Sequence, residues 1–116
     1  MADIYCYDSL GNLVTRLYQW DINQYLTVRG VPTSPLPVFQ FANKTSDTAL
    51  SVTPTVSDGN LVVLVPNILL EKPEPIFAFI HRTQVSGAGR TIGEIRIPVK
   101  PRIKPDTTEY IETNND

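Results

Sequence analysis

The sequence predicts an all-β fold, an Ig-like antiparallel β-sandwich of about seven strands with an extended Pro-rich C-terminal exit. Three observations predict it. Apolar residues recur at a spacing of two: Ile95, Ile97 and Val99 share one parity, with Ile92, Glu94 and Arg96 on the other. Turn-forming residues separate such runs at roughly 8–12-residue intervals. The longest unbroken apolar runs, Leu61–Val65 and Ile76–Ile80, are five residues each and rich in Val, Ile and Phe, which suits strands better than helices.

Taken in order, Ile4–Tyr7 and Leu13–Tyr18 flank Ser9-Leu10-Gly11-Asn12, which reads as a hairpin loop. Leu26 and Val28 alternate with Thr27 and Arg29. Pro32 to Pro37 (PTSPLP) excludes both helix and central strand, because proline fixes φ and lacks an N–H. Phe39 and Phe41 flank Gln40, and Leu50 and Val52 flank Ser51, with a polar loop from Asn43 to Thr48 between them. Asp58-Gly59 is a turn signal before Leu61–Val65. One helical turn is expected at Asn67–Leu70, just after Pro66. Ile76–Ile80 follows, and Ser86 to Gly89 reads as a flexible tip leading to the Ile95 strand.

From Pro98 the character changes. Pro98, Pro101 and Pro105 interleave with Lys100, Arg102 and Lys104, and a polar, acidic segment follows. The expected division is a β-sandwich domain over 1–99 and, over 100–116, a Pro/basic exit with an acidic tail that is mobile in the free domain.

Composition narrows the function classes. The net charge is −2, and the pI of about 5.3 argues against a nucleic-acid-coating protein. No apolar run approaches the roughly 20 residues of a membrane helix. The first residues, MADIYCYDS, carry no apolar core of the kind a secretory signal needs. The single cysteine, Cys6, allows neither an internal disulfide nor a cysteine cage.

Catalytic readings fail on residue supply. A Ser–His–acid or Cys–His site would have to use His81, the one histidine, and no nucleophile signature surrounds Cys6. Both read as ordinary strand residues. Asp3, Asp8, Asp21, Asp47 and Asp58 are scattered and form no calcium loop, and Gly87-Ala88-Gly89-Arg90 lacks the ending of a phosphate loop. No acid pair stands out for glycoside hydrolysis. The expectation is a protein that is not an enzyme and holds no metal and no cofactor.

Two features point to binding. Tyr18, Trp20 and Tyr25 could form a surface platform for glycans, although the single Trp of a small β domain more often plugs the end of its core. Ile76–Ile80 is apolar on both parities, with Ile76, Ala78 and Ile80 on one face and Phe77 and Phe79 on the other. A two-layer sandwich buries only one face of each strand, so the second face needs a cover: a loop such as PTSPLP, the tail, or another chain. The interface candidates are therefore one of two pairs on this strand, Phe77 and Phe79 or Ile76 and Ile80, with the other pair in the core, together with Lys100, Arg102, Lys104 and Tyr110 of the exit.

A set of motifs adds a resemblance. They are Tyr5-x-Tyr7-Asp8-Ser9-x-Gly11, Gln19-Trp20-Asp21, an apolar strand ending in Gly30, a strand closed by Asn43, Pro66-Asn67-Ile68-Leu69-Leu70, and Ile97-Pro98-Val99-Lys100-Pro101-Arg102 leading to Lys104-Pro105. The chain resembles the amino-terminal domain of tailed-phage virion proteins of the baseplate upper protein or fibre type from Gram-positive hosts. Tyr110 falls further along than that family's exit pattern places its tyrosine, and the sequence stops at Asp116 where the family continues into a stalk. The resemblance implies a non-enzymatic virion structural protein, made in the host cytoplasm. It would dock on the particle as a baseplate adaptor or fibre anchor and bind other virion proteins, with a homo-oligomer expected and no nucleic acid or membrane partner. Head decoration, a head fibre, or a carbohydrate-binding module of a host-recognition device are the alternatives.

Overall fold

A computed structural model describes residues 4–83 and 89–105. The strands, in chain order, are β1 (Tyr5–Tyr7), β2 (Leu17–Tyr18), β3 (Tyr25–Arg29), β4 (Val38–Asn43), β5 (Leu50–Val52), β6 (Thr55–Ser57), β7 (Asn60–Leu64), β8 (Ile76–Thr83), β9 (Gly89–Ile97) and β10 (Val99–Lys100), with a 3₁₀ turn at Asn67–Glu71 between β7 and β8. Two four-stranded antiparallel sheets, ordered β1-β3-β7-β6 and β5-β4-β8-β9, form the sandwich.

Alternation places the core between them. Cys6, Leu26, Val28, Leu61 and Val63 project inward from one sheet, and Phe39, Phe41, Ile76, Ala78, Ile80 and Ile97 from the other. Phe39 and Phe41 are fully buried, with stacked rings whose centroids lie 6.2 Å apart. The β4–β8 ladder runs from Val38 opposite His81 to Asn43 opposite Ile76, and it fixes which parity of β8 faces in.

Most of the expected runs become strands, the Leu13–Tyr18 run only at Leu17–Tyr18, and Asn67–Leu70 is the expected single helical turn. Asp58 and Gly59 both have positive φ, 50° and 77°, which suits the tight turn joining β6 to β7. Four details differ from the sequence reading. The Ser9–Asn12 turn closes with Gly11 N donating to Asp8 O at 3.0 Å, but its return arm leaves after one bridge, Tyr7 to Leu13. β6 is exposed along its length, so no apolar alternation announces it. Ile95 and Val99 do not share one strand, because Pro98 divides β9 from β10. β10 then pairs with β2 in parallel, a contact between distant segments that no local pattern encodes. The Ser86–Gly89 tip lies, except for Gly89, outside the described residues, as does the segment beyond Pro105.

Phe41→Ala should cost about 3–5 kcal/mol in urea unfolding, since it leaves a cavity at the centre of the sandwich. A loss below about 1 kcal/mol would contradict the central placement of this ring.

Candidate functional site

The register of β8 resolves the two-sided apolar run. Ile76, Ala78 and Ile80 are at most 1% exposed and belong to the core, so of the two alternative pairs Ile76 and Ile80 are excluded as surface residues and Phe77 and Phe79 remain. Phe77 and Phe79 point to the outer face and are half-buried. Phe77 lies between Ala42 of β4 and Arg96 of β9, and Phe79 between Gln40 and Glu94. Two aromatic side chains thus occupy the middle of the outward side of this sheet, flanked by polar or small residues. The opposite sheet poses the same problem more mildly: Leu61 and Val63 face the core while Val62 and Leu64 are half-buried outward, beside Thr27 and Tyr25.

The basic exit is tied to its own chain as far as Pro105. Leu17 N donates to Pro98 O at 2.9 Å and Gln19 N to Lys100 O at 2.8 Å, which continues the β2–β10 ladder. Arg102 Nε donates to Gln19 O at 3.1 Å, and its guanidinium stands 3.6 Å from the Asp21 carboxylate. Lys104 Nζ lies 5.0 Å from the centroid of the Trp20 ring. Lys100, Arg102 and Lys104 remain exposed, so they stay available to a partner, but two of them already hold Gln19–Asp21. Tyr110 lies outside the described residues.

The Gln19–Asp21 segment also grips the 3₁₀ turn. Gln19 Nε2 donates to Glu71 O at 2.9 Å and Trp20 N to Leu70 O at 2.7 Å. Trp20 adopts φ 72°, a left-handed conformation that is strained for a large side chain and is held here by those contacts. Asn67, the buried first residue of the turn, accepts a hydrogen bond from Asn23 N at 3.0 Å. Asn43 closes β4 by accepting from Ser46 Oγ at 2.7 Å and from Thr45 N at 3.3 Å. Several of the residues that carry the sequence resemblance are therefore long-range pins of the fold. Gln19, Asn67 and Arg102 each satisfy a backbone group of a distant segment.

The aromatic platform forms only in part. Tyr18 and Tyr25, 41% and 47% exposed, line one groove with Arg16, Asp21 and Gln24, around a cavity of about 180 Å³. Trp20 is half-buried, is not among the residues lining that groove, and carries Lys104 on its ring. Burial lifts the Asp21 carboxyl above its ordinary value, and the Arg102 guanidinium opposes that shift.

Cys6 and His81 sit in ladders. Cys6 is buried opposite Val28, and burial pushes its thiol up to about 11, which keeps it protonated and a poor nucleophile. The His81 ring lies across Gly89, where an added Cβ would stand 2.5 Å from Nε2, so a larger residue there would require the ring to move. Among the described residues no group of three or more His, Cys, Asp or Glu could hold a metal ion, and no helix is long and apolar enough to cross a membrane.

Two measurements check this geometry. Cys6 should resist thiol reagents at pH 8 in the folded chain and react on denaturation; equal rates in both states would contradict its burial. Because the Asp21 pKa is raised on folding, protonated Asp21 favours the folded state. That contribution is fully present below the unfolded pKa and is lost as pH rises through the folded one. Arg102→Ala should move the Asp21 midpoint upward in carboxyl NMR titrations, and a downward move would contradict the stated role of the guanidinium.

Comparison with known proteins finds no matching family model, no matching curated protein and no matching solved structure.

Proposed function

We propose that this chain is a non-enzymatic structural protein of a phage particle, a protein-binding adaptor that docks on the baseplate or anchors a fibre and links a further component. The observation that supports the binding role is the outward side of β8, where Phe77 and Phe79 are half-buried on a strand whose other face is already core. Fully burying a large apolar side chain is worth roughly 1.5–3 kcal/mol, and some of that remains to be gained at each ring. Association has its own cost, so these rings would act as the anchors of a larger contact rather than as the whole of it. The phage assignment rests on the sequence resemblance; head decoration or a head fibre would use the same surface and differs by location on the particle. Other virion proteins are the partners this reading names.

A second reading is favoured by one observation, the convergence of Tyr18, Tyr25, Asp21 and Gln24 on a single groove. Aromatic faces beside hydrogen-bonding groups suit a sugar ring, which would make the chain a carbohydrate-binding module of a host-recognition device.

Particle incorporation tests the proposal. Wild-type chain should be found in purified particles by mass spectrometry and located by immunogold labelling. The Phe77→Ser, Phe79→Ser double variant should fold, by circular dichroism and melting, yet be missing from particles. Incorporation of the folded variant at wild-type occupancy would overturn the role of this face. Binding on a glycan array that is lost in Tyr18→Ala and Tyr25→Ala would favour the second reading instead.

A further inference from the structure

The four edges of the sandwich are unequal. β1, β5 and β6 are three residues each, the short form in which soluble proteins usually leave an edge, whereas β9 is nine residues long and pairs only with β8 among the described residues. Its ladder is interrupted once. Ile80 pairs with Gly93 and His81 with Thr91, so Ile92 is bulged out of register. Pro98 ends the strand at the other side. The regular part of the edge is thus Gly93–Ile97, with Ile95 at its centre.

This segment is complementary to itself. Glu94 and Arg96 share the outer face, both are exposed, and neither makes an ion pair among the described residues. If a second copy lies antiparallel beside it with Ile95 on the two-fold axis, Glu94 of each copy falls opposite Arg96 of the other. On the inner side Ile95 meets its own symmetry mate, and each Gly93 meets Ile97. Ile95 is half-buried and borders an open cavity of about 260 Å³, lined also by Ile4, Leu13 and Val14, so apolar surface remains there to be covered. Any other register that keeps the pleat breaks one or both charge pairs.

We propose that the β9 edge is a homodimer interface, in which Gly93–Ile97 pairs antiparallel with the same segment of a second copy of this chain and joins two four-stranded sheets into one of eight strands. The interface is isologous, with opposite charges on one face and isoleucines on the other. Its backbone pairing is at the strand edge, although Glu94 and Arg96 lie beside Phe79 and Phe77 on the outer face; self-association of the isolated chain reads this interface and particle incorporation reads docking, so the two failures are separable.

Charge reversal tests it on the full chain by sedimentation equilibrium. Wild type should dimerise. Glu94→Arg and Arg96→Glu each replace two attractive cross-strand pairs with repulsive ones and should weaken dimerisation by roughly tenfold or more, with the β circular dichroism spectrum unchanged because both side chains are exposed. An equimolar mixture of the two variants should dimerise again, since each reversed charge then meets its opposite, and the double variant should recover for the same reason. A wild type that stays monomeric at several hundred micromolar would overturn the proposal. So would single variants that dimerise as wild type does, or a mixture that shows no recovery.

Discussion

The register between β4 and β8 governs this molecule. Six consecutive pairs, from Val38 with His81 to Asn43 with Ile76, commit Phe39, Phe41, Ile76, Ala78 and Ile80 to the interior at once. A one-residue slip of β4 against β8 would turn Gln40 and Ala42 inward in place of Phe39 and Phe41, putting a glutamine into a wholly apolar layer. The same constraint has a cost on the other side. Two phenylalanines are carried outward on the second-longest strand of the fold, with only single side chains from β4 and β9 beside them.

The exit depends on a second, weaker set of interactions. The Arg102–Asp21 pair is partly solvated and worth about 0–1 kcal/mol by itself. The Lys104–Trp20 contact adds about 0.5–1 kcal/mol at an exposed site. What orders residues 98–105 is the sum of these with the β2–β10 ladder and the buried Val99 side chain. Residues 98–105 therefore leave the sandwich in a defined direction along residues 17–21.

Much of the fold was legible in the sequence because the core strands follow period two without ambiguity. Phe39-x-Phe41, Leu26-x-Val28 and Ile95-x-Ile97 each name their inner face directly. Ile76–Ile80 did not, because both parities are apolar; only its pairing partner, β4, decides between them. β6 was silent for the opposite reason, having no buried side chain to reveal it. The parallel β2–β10 pair and the grip of Gln19 on Glu71 join segments far apart in sequence, and nothing local encodes them. The groove shared by Tyr18 and Tyr25 is half-visible: spacing groups Trp20 with the two tyrosines or else packs it at the end of the core, and the structure leaves it half-buried and outside the groove. Its left-handed backbone and the Lys104 contact turn that ring to a different task.

Long-range hydrogen bonds of Gln19, Asn67 and Arg102 hold the sandwich and the exit in one geometry. The proposed role of Phe77 and Phe79 is to anchor a contact with another virion protein. A cryo-electron microscopy reconstruction of a particle that contains the chain tests this most directly. The account predicts side chains of a neighbouring protein in van der Waals contact with both rings, within about 4–4.5 Å. A reconstruction in which the chain is held only through other surfaces, with the outward side of β8 open to solvent, would contradict it.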